Sequence, residues 1–197
     1  MFNQTIKSIF FNIWPSILIV VVITTSLRLA YIKLNNIKVE WYREIIKLLF
    51  IIYVVSLFYT VTFQDVAWST SNFIPFREIF RYEFLSKKFI KNIVGNLIMF
   101  LPYGLFITYF LKTKNIKIIL VLTLIVSFTI ETTQLFIGRV FDIDDVLLNV
   151  IGSLLGFYLY NLESKLPSSL KNKAFYNIII TVGITILFIL LIMILGG

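Results

Sequence analysis

The sequence predicts an all-α fold: a polytopic integral membrane helical bundle of about six transmembrane helices. Three observations lead there. The chain is 59% hydrophobic and 14% charged, with a mean hydropathy of +0.93, far from the averages of soluble domains. Several apolar runs approach or exceed the roughly 20 residues a helix needs to cross a hydrocarbon core of about 30 Å. Twenty Phe and ten Tyr suit packing in lipid and anchoring at its interfaces. The chain contains neither Cys nor His, which excludes disulfides, thiolate nucleophiles, Cys/His zinc sites and imidazole catalysis. The net charge of +8 does not call for nucleic acid as a partner. Its basic residues gather in links between apolar segments, as membrane topology and anionic headgroups require.

Taken in order, residues 9–31, around WPSILIVVVITTSL, form the first expected span. The region ahead of it carries Lys7 alone and no small-x-small cleavage site closes it, so a retained helix is expected rather than a signal peptide. Arg28 near its end can snorkel to the headgroups. The second span is IIKLLFIIYVVSLFYTVTF, about residues 45–63. Residues 64–91, QDVAWSTSNFIPFREIFRYEFLSKKFIK, mix both signs of charge with aromatics and are expected to lie at the membrane interface. NIVGNLIMFLPYGLFITYF, residues 92–110, is the third span; two Gly and a Pro fit close packing or a bend. The fourth covers residues 118–137, the fifth 143–160 and the sixth about 175–195. The expected organisation is an N-terminal helix and basic link at 1–44, a four-helix core at 45–160, and a link with a C-terminal helix at 161–197.

Six crossings put both termini on one side. Eleven basic residues then cluster at the links after spans one, three and five, against seven on the opposite side. The positive-inside rule places the first set in the cytoplasm. Both termini, the 64–91 segment and the 138–145 stretch are therefore expected to be extracellular.

The polar residues of the spans are not scattered. Ser127, Glu131 and Gln134 follow at spacings of four and three, on one face of the fourth helix. An acid embedded in a membrane helix is expensive and marks a functional hypothesis; Arg139, across the following turn, is its candidate partner. Asp145, Asn149, Gly152 and Gly156 form a stripe on the fifth helix, the glycines permitting close helix approach. Asp142, Asp144 and Asp145 crowd into four residues. One acid suffices as an N-cap, so the others require a cation or an Arg for compensation. Asn92 and Asn96 share a face of the third helix. Asn96, Glu131, Gln134, Arg139, Asp142, Asp144, Asp145 and Asn149 thus fall at one depth and are the candidate ligand-binding residues.

Read in order, SNFIPF, NIVGNLIMFLPYG and SFTIETTQLFIGRVFDIDDVLLNVIGSLLGFYLY resemble the motifs of the VanZ-like membrane protein family. The matching positions are Asn72, Pro75 and Phe76; Gly95, Asn96, Pro102 and Gly104; Glu131 and Gln134; then Arg139, Phe141, Asp142, Asp144, Asp145, Asn149, Gly152 and Gly156. The likeness covers about residues 45–160. It implies a bacterial cell-membrane location and a theme of cell-envelope or teicoplanin response, and it implies no particular reaction.

These residues lead to an expected protein that recognises or protects an envelope component, such as a lipid-linked cell-wall precursor, at the outer leaflet, with membrane lipids as its surroundings. Arg139 would meet phosphate or carboxylate, and the amides and acids would supply oriented hydrogen bonds. The alternative is an enzyme acting on a lipid phosphate, with Asp144 or Asp145 as general base or holding Mg²⁺. No cofactor is expected, a divalent cation such as Mg²⁺ being kept as an alternative because carboxylates with Asn oxygens suit hard cations. A transporter would need a polar path through the lower halves of the spans, where Leu, Ile and Phe predominate.

Overall fold

The computed structural model describes residues 2–63, 71–84, 86 and 89–162. Among them are five long helices and no β-strand: α1 (Phe2–Leu34), α2 (Trp41–Phe63), α3 (Gly95–Leu111), α4 (Ile116–Phe136) and α5 (Ile143–Asn161). Windows in α1, α4 and α5, and one over Asn92–Leu111, are long and apolar enough to cross a membrane. In α2 the charges Arg43, Glu44 and Lys47 fill the first two turns, and residues 48–63 carry none. The protein is a helical membrane bundle. The sixth expected span, at about 175–195, lies outside the described residues.

Several helix ends differ from the sequence expectation for physical reasons. Helix α2 starts four residues earlier because its first turn is anchored. Arg28 of α1 does not end at headgroups but forms a two-pronged pair with Glu44, both contacts at 2.8 Å, and Lys47 joins the same carboxylate. Helix α3 is preceded by a wider π turn, Ile90–Val94, continuous with it. Helix α4 is started by Asn115, whose side chain accepts the Lys117 N–H, an N-cap that satisfies one orphan amide.

The core is the α3–α5 pair, which runs parallel, with α4 antiparallel to both. Their approach is set by glycine. A Cβ on Gly104 would lie 1.8 Å from the Ser153 carbonyl oxygen, one on Gly152 2.2 Å from that of Leu97, and one on Gly156 2.1 Å from that of Leu101. Hydrogen atoms therefore stand where side chains would be, aimed at carbonyl oxygens of the facing helix. Weak Cα–H···O contacts of this kind recur where membrane helices come close. On its other side α3 meets α2 through an aromatic cluster of Phe50, Tyr53, Phe106 and Phe110, and the Tyr53 hydroxyl donates to the Met99 carbonyl at 2.9 Å. Among the described residues helix α1 packs chiefly along α2; none of its apolar window is buried within the bundle, against 56% for the window over Asn92–Leu111. These pairings bring the end of α2, the start of α3, the end of α4 and the start of α5 to one end of the molecule. The basic links 35–40 and 112–115 are at the other.

Candidate functional site

The turn that delivers Arg139 is built by Gly138. Its φ of 84° lies in the left-handed region that glycine adopts without Cβ strain. Gly138 N–H donates to the Leu135 carbonyl at 3.2 Å and Arg139 N–H to that of Gln134 at 2.9 Å, the paired bonds of a Schellman C-cap. Nothing crowds a Cβ at Gly138, so the backbone conformation alone selects glycine. Arg139 is thereby carried back over the last turn of α4, where its charge acts on both Glu131 and Asp145.

Helix α5 begins immediately afterwards. Asp142 is its N-cap, accepting the Asp144 N–H at 2.9 Å, and its own N–H donates to Glu131 Oε2 at 3.0 Å. Glu131, 2% exposed, is therefore tied to the start of the next helix, within the field of Arg139. Burial pushes the Asp142 carboxyl above its ordinary range, aided by the nearby charges of Asp144 and Glu78; the bonds from Asp144 N–H and the Asn72 side chain oppose the shift.

Asp144 and Asp145 are neighbours in sequence and point different ways. Asp144, 1% exposed, receives the backbone N–H groups of Phe76, Glu78 (2.7 Å) and Ile79 (3.3 Å). It closes the loop that carries Phe76 in a left-handed conformation, φ 66°, which a bulky residue holds only when its surroundings enforce it. Asp145 faces the bundle and accepts a hydrogen bond from Asn96 Nδ2 of α3. One turn deeper, Asn149 Nδ2 donates to Ser127 at 2.8 Å, and below that Thr123 and Ser153 share a hydrogen bond of 2.7 Å. Glu131, Ser127 and Thr123 thus face Asp145, Asn149 and Ser153 in successive layers.

Asn72 is the residue whose importance the sequence understated. Its N–H donates to the Phe141 carbonyl (2.8 Å), its carbonyl accepts Ile143 N–H (3.0 Å), its Nδ2 donates to Asp142 (2.9 Å) and its Oδ1 accepts Ile74 N–H (3.1 Å). It stitches the 71–79 loop to the α4–α5 turn. An Asn three residues before a Pro was the available signal, since Asn favours turns through its side chain.

Of the expected site residues, the structure brings Asn96, Glu131, Arg139, Asp142 and Asp145 together at one end of the bundle. Asn149 is one layer below, and Asp144 is turned into the loop. Gln134 is buried on the Glu131 face of α4. Among the described residues, no three acidic groups are gathered in a way that could hold a metal ion.

Fold and cluster together define a polytopic helical membrane protein with a hydrogen-bonded acid–amide cluster at one end, within the field of Arg139. The chain belongs to the VanZ/LLP1 family, whose model it matches over residues 45–164. It is also similar to Protein VanZ of Enterococcus faecium, with 33% identity over 103 residues. That match takes in 52% of this chain and 62% of the relative, less than two thirds of the relative's length. No solved structure matches the chain.

Proposed function

We propose that this VanZ-like protein recognises or protects a cell-envelope component at the outer leaflet of the cell membrane, with a lipid-linked cell-wall precursor as the leading ligand and glycopeptide response as its context. The observation that carries this reading is the hydrogen-bonded set of Asn96 with Asp145 and Glu131 with Asp142 at the end of the bundle, where the charge of Arg139 acts on Glu131 and Asp145, beside the loop tethered by Asn72 and Asp144. A guanidinium flanked by oriented acids and amides suits a ligand with phosphate or carboxylate together with hydrogen-bond donors. The excess of basic residues on the links at the opposite end favours the outward orientation of this cluster.

Direct binding of a lipid-linked disaccharide–peptide precursor to the purified full chain in nanodiscs tests it. Wild type is expected to bind, and R139A to bind at least about ten-fold more weakly, as loss of a charge-assisted hydrogen bond implies. The lipid-facing control I125A is expected to match wild type. Absence of binding by wild type overturns the proposal.

The second reading is an enzyme acting on a lipid phosphate. Asp145 is its only acid of the 144–145 pair placed to serve, because Asp144 is engaged by three backbone amides. Phosphate release that requires Asp145, with or without added Mg²⁺, would favour that reading.

A further inference from the structure

Resting on the recognition reading above, we infer that the cluster contains a seat for a primary ammonium group, formed by Glu131, Asp145 and Asn149. Asn149 supplies the key observation. It is 3% exposed, its Nδ2 is committed to Ser127, and its Oδ1 is the one buried side-chain nitrogen or oxygen among the described residues with no hydrogen-bond partner. A buried amide oxygen left without a donor costs about 1–3 kcal/mol, so it marks a place where a donor is expected.

The position of that oxygen identifies the donor. Asn149 is one helical turn below Asp145 on α5, and its partner Ser127 is one turn below Glu131 on α4, so the orphan oxygen lies in the layer directly below the two carboxyl groups. The oxygens of Glu131, Asp145 and Asn149 gather acceptors there from both α4 and α5. Asn96 of α3 gives one of its N–H donors to Asp145. The charges point the same way: Glu131 acts on Asp145, and the positive charge of Arg139 acts on both. A hydroxyl or a water would satisfy Asn149 and bring no charge to the two acids. An ammonium brings up to three N–H donors and one positive charge to two carboxylates and one amide oxygen. With Arg139 at the rim suited to phosphate, the ligand class is a zwitterion: an anionic group outside and a primary amine inside. Two envelope molecules carry that chemistry, an aminophospholipid and a lipid-linked precursor whose peptide has a free side-chain amine.

The experiment uses the full chain in nanodiscs and two matched pairs of probes. In one, phosphatidylethanolamine is compared with phosphatidylcholine, whose methylated nitrogen cannot donate. In the other, a precursor with a free side-chain amine is compared with its N-acetylated form. Bound lipid is counted by native mass spectrometry. A preference of about ten-fold or more for the free amine is expected in at least one pair, and the pair that shows it assigns the source. Asn149→Leu is expected to abolish the preference. Because that variant is at risk of misfolding, Asp145→Asn provides a second test: it keeps an oxygen to accept from Asn96, removes the charge, and is expected to reduce the preference at least about ten-fold. Equal binding within both pairs overturns the seat, as does a preference unchanged in D145N. Precursor binding that ignores acetylation, with no preference between the two phospholipids, defeats this inference and leaves the recognition reading standing; failure of both precursor forms to bind defeats that reading instead.

Discussion

Two regions meet at the first turn of α5, and adjacent aspartates serve them differently. On the loop side, Asp144 is enclosed by backbone amides of residues 76–79 and does the work of a structural cap. On the bundle side, Asp145 meets Asn96, Glu131 and Arg139, groups that can be offered to a ligand. Successive residues of a helix point about 100° apart, and that rotation separates architecture from chemistry. A run of acids is therefore not one functional unit, and its members have to be distinguished by what their oxygens already hold.

The comparison can be broken or sharpened by substitution. The largest effect is expected at the foundation of both regions. G104A or G156A would drive a methyl into backbone of the facing helix, where no side-chain rotation can relieve the clash. A loss of about 3 kcal/mol or more is expected, read as a lower unfolding midpoint in detergent and loss of ligand binding together. D144A comes next. It leaves three amide donors without their acceptor and should cost about 2–3 kcal/mol, with residues 71–84 becoming open to limited proteolysis while the helix content is kept. D145N should reverse that pattern, with stability changing by no more than about 1 kcal/mol and binding falling about ten-fold. Similar proteolysis in D144A and D145N would contradict the division of labour.

The smallest effect is expected for D142N. An Asn oxygen can accept both bonds that Asp142 accepts. Because burial raises the Asp142 carboxyl in the folded protein, the folded state binds its proton more tightly than the unfolded chain. Stability from this group therefore grows as pH falls through the raised value and is lowest above it. D142N should flatten that dependence and leave the unfolding midpoint at neutral pH equal or slightly higher, as a pH series of thermal melts would show.

Much of this was legible in the residues. Apolar run length marked the five described helices, and the spacing of Ser127, Glu131 and Gln134 identified the buried face of α4. The glycines at 152 and 156 announced a close helix approach, though not that α3 would be the partner. What remained hidden depended on partners without a sequence signature. Backbone amides are common to nearly every residue, so nothing in SNFIPF or REIF said that they would engage Asp144. The pairing of Arg28 with Glu44 joins two helices through a link whose geometry no periodicity encodes. Asn149 looked like part of a polar stripe, and only three-dimensional enclosure revealed its unmatched oxygen.

The glycine seam between α3 and α5 has a final consequence. Two helices in backbone contact from Leu97 to Ser153 cannot spread to admit a guest without losing the packing that keeps them in register. On the proposed recognition reading, entry is then expected away from this seam, and residues 71–79, pinned through Asn72 and Asp144, border the cluster. Selectivity in this family member would thus be tuned at a surface loop, while the floor beneath it stays rigid.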